Sequence, residues 1–238
     1  MKKIHLGFLL LSILLGCSTD EDKYITLSGR VERELNGEGI SNQKVLLEIH
    51  QIRGSGNWTY TTKLDSKEVL SDSNGNFNVT MKSDSNTFVS VYKERDENYT
   101  SVELTNFEIN ENILLKVNKF NTFKIYVNNV NPFDSTDYIY INFVSGNTQN
   151  FRSAIENFGV VNTQYPPEYL PGGGMIGAHE DAAWTGTNVH SIVYYKVPEN
   201  ADTHKLYWLK NKNGLQTSGS TPEIPFQANQ INEFYFDY

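Results

Sequence analysis

A chain of 238 residues carries 28 acidic against 20 basic side chains, a net charge of −8, and a single cysteine. The excess of carboxylates argues against nucleic acid or an anionic lipid surface as partner, because both demand a cationic face. One cysteine leaves no intramolecular disulfide, so stability has to come from packed cores. Aromatic residues, mostly Tyr and Phe, make up 13% of the chain, which suits half-buried pleated surfaces rather than helices.

Lys2 and Lys3 precede an almost wholly apolar run, Ile4 to Gly16. As a helix its 13 residues would measure about 20 Å, short of the roughly 30 Å hydrocarbon core. The run therefore fits an export signal, residues 1–16, with small Gly16 before the cut. Leu14-Leu15-Gly16-Cys17 resembles a lipobox. Bacterial lipoproteins similar to this one carry a diacylglyceryl group on that cysteine, so the resemblance implies lipidation at Cys17 and a membrane partner reached through the lipid. Loss of residues 1–16 removes two lysines and no acid, taking the net charge to −10. Residues 17–23 read as a flexible acidic tether. Within it Ser18-Thr19-Asp20-Glu21-Asp22 resembles the stretch that sends Bacteroidetes lipoproteins to the outer surface. The expected address is the outer membrane, on the cell surface, with the periplasmic face as the alternative. Nothing later approaches 18 consecutive apolar residues, so no second membrane segment is expected.

Residues 24–118 alternate with period two in short segments separated by turn residues, the pattern of a β-sandwich. Ile25, Leu27 and Val31 share one face, as do Val45, Leu47 and Ile49, then Phe77, Val79 and Met81, then Val89 and Val91, then Ile113, Leu115 and Val117. Asn36-Gly37-Glu38-Gly39 and Asp72-Ser73-Asn74-Gly75-Asn76 supply turns, since Asn, Asp and Gly tolerate left-handed backbone. Leu27-Ser28-Gly29-Arg30-Val31, Gly39-Ile40-Ser41-Asn42-Gln43-Lys44-Val45-Leu46-Leu47 and Ser71-Asp72-Ser73-Asn74-Gly75-Asn76-Phe77 resemble the carboxypeptidase-regulatory-like, transthyretin-like domain. Where that family usually has Pro and Ala, this chain has Ile40-Ser41 and Asn42-Gln43. The resemblance implies a sandwich fold and no chemistry.

Residues 119–238 read as a second β-sandwich. Phe123, Ile125 and Val127 make one strand and Tyr138 to Phe143 another. Val189, Ser191, Val193, Tyr195 and Val197 share a face, and Phe234 and Phe236 alternate with acids in a terminal strand. The fold class is therefore all-β, two tandem sandwiches behind a lipidated tether. Residues 145–187 break the rhythm: a short helix is expected from Phe151 to Phe158, then irregular chain with Pro166-Pro167 and Gly172-Gly173-Gly174. Long insertions of this kind are commonly functional, and Tyr165, Tyr169 and Trp184 within it are the candidate ligand-binding residues, rings able to stack on a sugar or anchor a protein.

Catalytic and metal patterns fail on spacing. His179-Glu180-Asp181-Ala182-Ala183 lacks the second histidine of a zinc helix, and His190 and His204 show no ligand spacing with it. Asp72, Asn74 and Asn76 alternate like calcium-loop oxygens, yet the loop lacks the closing glutamate. Glu180 and Asp181 are sequence neighbours, poorly placed to flank a glycosidic bond, unless Glu168 folds back toward them. Asp134-Ser135-Thr136 resembles the O-glycosylation triplet of Bacteroidetes. The expectation is a non-catalytic, cofactor-free and metal-free surface lipoprotein that binds a glycan or a surface protein through the second domain; the alternative is a structural or adhesion spacer. Cys17→Ala should abolish incorporation of an alkyne-tagged fatty acid in growing cells, read by in-gel fluorescence, and retained label would refute the lipobox.

Overall fold

The computed structural model describes residues 23–56, 58–107, 112–146 and 148–238, and every regular element among them is a β-strand. Cys17 and the acidic residues behind it lie outside the described residues. The protein is all-β.

The first half holds β1 (Lys23–Arg33), β2 (Lys44–Ser55), β3 (Trp58–Leu70), β4 (Asn76–Ser83), β5 (Thr87–Lys93), β6 (Val102–Phe107) and β7 (Ile113–Val117). They form two sheets, ordered β4-β1-β7 and β3-β2-β5-β6. The β-branched and aliphatic residues at alternate positions point between the sheets. Leu27, Val31, Val45, Leu47, Ile49, Val89, Val91 and Leu115 are all buried in one apolar cluster. Gly29 is required by close approach rather than by conformation. A Cβ there would lie 2.3 Å from the Phe77 ring and 2.5 Å from the Ile113 carbonyl oxygen.

The two ends of this sandwich differ, and the difference orients everything else. At one end Lys23 pairs with Ser83. The adjoining turn carries Asp84, which accepts a 2.8 Å hydrogen bond from the Gln51 side chain. Here β2 and β3 outrun their neighbour: β2 pairs with β5 only as far as Gln51–Thr87, while the β2–β3 ladder continues to Ser55–Trp58. At the opposite end Arg33 pairs with Val117, and only Asn118 and Lys119 separate β7 from the next strand.

The second half begins with β8 (Phe120–Asn128), β9 (Tyr138–Val144) and β10 (Phe151–Asn157). Four two-residue strands follow: β11 (Gln164–Tyr165), β12 (Glu168–Tyr169), β13 (Met175–Ile176) and β14 (His179–Glu180). Then come β15 (Ala183–Thr185), β16 (His190–Pro198), β17 (Lys205–Lys212), β18 (Leu215–Ser220) and β19 (Ile231–Asp237). Sheets β10-β16-β8-β19 and β15-β9-β17-β18 enclose Phe123, Ile125, Ile141, Phe143, Val193 and Leu206 in a separate core. The terminal strand β19 docks parallel to β8.

The helix expected over 151–158 is the strand β10. A register shift between Arg152 and Ala154 explains the misreading: the residues opposite inward-facing Tyr195 and Val193 are Arg152 and Ile155. A bulge that skips Ser153 thus imposes a helix-like spacing of three on a strand. Among the described residues beyond β10, the stretch expected as irregular chain holds two short ladders and β15 between turns. Gly29→Ala should lower stability by about 1–3 kcal/mol through overpacking, read as a lower urea midpoint at unchanged slope.

Candidate functional site

Where the two sandwiches meet, one carboxylate gathers contacts from both. Glu199, just past β16, has a side chain only 6% exposed. The Arg33 Nε donates to its Oε1 at 2.8 Å and to its Oε2 at 2.9 Å, and a second guanidinium nitrogen closes the fork on Oε2. The Lys119 backbone N–H donates to Oε1 at 3.0 Å, and the Glu199 N–H returns a 2.8 Å bond to the Lys119 carbonyl. Burial by itself would raise the Glu199 carboxyl. The Arg33 fork and the Lys119 amide overcome it and hold the group below the usual glutamate value.

Further contacts flank this joint. Phe120 N–H donates to the Asn98 carbonyl at 2.7 Å and Thr100 N–H to that of Asn118 at 3.0 Å. The Arg95 guanidinium sits 4.0 Å over the Phe151 ring, and Phe151 meets Phe120 edge-on at 5.1 Å. Arg33 and Arg95 belong to the first sandwich and Glu199 and Phe151 to the second. The connection is two residues long, and these contacts cross it.

The second feature is an arm. The chain leaves the sandwich after Thr163, whose N–H bonds the Ala183 carbonyl at 2.7 Å. It returns through two short ladders, Gln164–Glu180 with Tyr165–His179, and Glu168–Ile176 with Tyr169–Met175. Gly172, Gly173 and Gly174 take φ of 98°, 94° and 120° at the tip, backbone that side chains rarely adopt. At the root, Arg152 donates to the Glu180 carbonyl at 2.7 Å. The Tyr165 ring stacks on His179 at 5.0 Å, and its hydroxyl lies 3.3 Å from that of Tyr138. Desolvation, then that hydroxyl contact, raises Tyr138 far above an ordinary phenol.

The three candidate rings are not brought together. Trp184 is fully buried, its Nε1 donating 2.8 Å to the Asn157 side chain. It pins the insertion to the core and presents no face to a ligand. This is a correction: β15 aims Trp184 inward, opposite Ile139. Tyr165 is half-buried and engaged at the arm root. Tyr169 is 79% exposed near the tip, among exposed Leu170, Met175 and Ile176.

The other singled-out residues disperse as well. Glu168 lies along the arm, Glu180 accepts a bond from the Gln164 amide at 2.8 Å, and Asp181 stands at the root. His190 contacts Asn128 and His204 stacks against both Phe123 and Phe226, which also stack on each other. Among the described residues no three His, Cys, Asp or Glu side chains gather as metal ligands. The Asp72 carboxylate accepts the N–H groups of Asn74 and Asn76, each at 2.8 Å, and so closes a turn. Asp134-Ser135-Thr136 is exposed, with the Thr136 hydroxyl bonded to Asp134. Arg33 and Glu199 escaped the sequence reading because 166 positions part them. The available signal was the two-residue gap between the Val117 and Phe120 strand patterns.

No family model matches the chain, and no curated protein matches it. Among solved structures it is similar to a Streptococcal ancillary pilin, at 10% identity and a TM-score of 0.33, over 92% of this chain and 63% of that one. It is also similar to the full-length major pilin SpaD from Corynebacterium diphtheriae, at 12% identity and a TM-score of 0.35, over 85% of this chain and 65% of that one. The major pilin from Streptococcus pyogenes matches at 10% identity and a TM-score of 0.26, over 91% and 98%. This chain thus spans under two thirds of the first two. Likeness at this level assigns it neither an activity nor a partner.

The joint titrates. Glu199 has a lowered pKa in the folded protein, so its contribution is complete above the pH where an unfolded glutamate titrates, about 4.3. It is lost as pH falls below that through the folded value. Glu199→Gln should cost about 1–3 kcal/mol at neutral pH by removing the charged fork and leaving Arg33 only the longer ion pair to Glu38 at 3.9 Å, and should flatten the acid limb of a urea-midpoint-against-pH profile.

Proposed function

We propose that this protein is a non-catalytic, surface-tethered rigid spacer that holds its second domain away from the membrane. One observation carries the reading: the joint through Arg33 and Glu199 lies at the end of the first sandwich opposite Lys23, where the chain arrives from Cys17. β1 spans 11 residues, about 35 Å at strand rise, so tether and second domain stand that far apart across the first sandwich. A swivelling connection would collapse this separation, and the two-residue connection with its buried ion pair prevents that. Lipidation at Cys17, an outer-membrane surface address and the transthyretin-like character of residues 24–118 belong to the proposal. The motifs at residues 14–17, 27–31, 39–47 and 71–77 support them.

The exposed apolar tip of the arm favours a companion reading, that the spacer presents this arm to a protein partner. Tyr169, Leu170, Met175 and Ile176 give an adaptable apolar surface of the kind protein interfaces use. The glycan reading asked for exposed rings from among Trp184, Tyr165 and Tyr169, and burial of Trp184 and engagement of Tyr165 leave it Tyr169 alone.

Rigidity is the testable core. With Cys17 replaced by Ser, spin labels at Ser66 and Leu215 should give one narrow distance distribution by pulsed electron resonance. Glu199→Ala should broaden it. A broad distribution in the parent protein sinks the spacer reading.

A further inference from the structure

The overhanging end of the β2–β3 hairpin is an unexplained surface. Beyond Gln51 no strand supports it, and the ladder runs on through Ile52–Thr61, Arg53–Tyr60, Gly54–Thr59 and Ser55–Trp58. Paired residues point to the same side of a ladder, so Trp58, Tyr60 and Arg53 share one face. Trp58 is 86% exposed and Tyr60 59%. Trp58 forms no ring contact, cation contact or side-chain hydrogen bond with any described residue. A tryptophan is among the most valuable side chains to bury, and a hairpin that holds one wholly in water calls for a covering.

Position says what covers it. The overhang grows from the end of the sandwich that also carries Lys23: Gln51 bonds Asp84, Lys23 acts electrostatically on Asp84, and Ile52 N–H bonds the Asn86 carbonyl at 3.0 Å. The ladder beyond Gln51 advances four residues, about 13 Å. Lys23 lies six positions after Cys17, a reach of at most about 20 Å. If Cys17 is held at a membrane surface, the hairpin tip stands within reach of that surface. Trp and Tyr prefer the headgroup level of a bilayer, where an amphipathic ring meets both apolar and wet surroundings, and arginine reaches back to the headgroups.

We infer that the tip of the β2–β3 hairpin is a membrane-interface contact, in which Trp58 and Tyr60 insert at the headgroup level beside the lipid anchor. This rests on the tethered reading above. It adds a second point of attachment, which fixes the tilt of the spacer as well as its position, since stable membrane association commonly combines two weak signals.

The test uses the chain beginning at Cys17, coupled through its sole thiol to a maleimide-headgroup lipid in phosphatidylcholine vesicles with brominated acyl chains. Chemical coupling makes the outcome independent of whether cells lipidate Cys17, so failure here and failure of the lipoprotein reading are distinguishable. Trp184 is buried and Trp208 half-buried, so lipid-dependent quenching reports Trp58. The expected result is partial loss of emission with a shift to shorter wavelength, absent in Trp58→Phe and weakened in Tyr60→Ala, with unchanged circular dichroism in both. Parent protein that shows no quenching while coupled overturns the inference. So does equal quenching in Trp58→Phe.

Discussion

The placement of the two sandwiches relative to one another turns on one buried carboxylate. Glu199 is withdrawn from water at a domain boundary, where an unpaired charge would be costly. It is tolerated because a guanidinium fork and a backbone amide satisfy it from the neighbouring sandwich and the connection itself. The pair adds little net stability over an apolar contact of the same size. Its use is specificity. A fork admits one mutual orientation of donor and acceptor, whereas an apolar contact would allow the two sandwiches to rock. Phe120, Phe151 and Arg95 add the packing, and Arg33–Glu199 sets the angle.

That fixed angle gives meaning to two protrusions that would otherwise be incidental. Each is a hairpin longer than the sheet that supports it, and each ends in exposed large side chains. Their chemistry differs. The β2–β3 overhang carries Trp58, Tyr60 and Arg53, while the arm at 164–180 carries Tyr169, Leu170, Met175 and Ile176. Aromatic rings beside an arginine suit a headgroup layer, and flexible aliphatic side chains with methionine suit a protein surface.

The β-sandwich pattern was legible because burial in this chain is decided locally. Alternating Val45, Leu47, Ile49 and Val189, Ser191, Val193 face inward as their period requires, and Asp72 to Asn76 closes the turn its residue types demand. Three things were not legible. The bulge at Ser153 erased the period of β10, so a strand imitated a helix. Trp184 sits in a short strand flanked by loop residues, and its inward direction is set by pairing with β9, a partner more than 40 positions earlier. The joint depends on Arg33 meeting Glu199 across the whole intervening fold. Local alternation is written in neighbours; which long-range partner a strand or charge finds is not.

The same contrast bears on where selection for solubility and selection for contact diverge. An unsupported hairpin with an exposed tryptophan is a hazard for edge pairing and association, and the β2–β3 overhang, unlike the arm with Pro171, has no proline at its tip. The arm places Pro166 and Pro167 midway, where they interrupt the ladder between Tyr165 and Glu168 and so limit pairing with another chain. The β2–β3 overhang has no such interruption, and its ladder runs unbroken from Gln51 to Ser55. A continuous hydrophobic-tipped ladder is safe only where its surroundings are constant. If Cys17 carries the proposed lipid, the surroundings of this end of the sandwich would always be the same bilayer, and there the feature that endangers a free protein becomes a point of attachment.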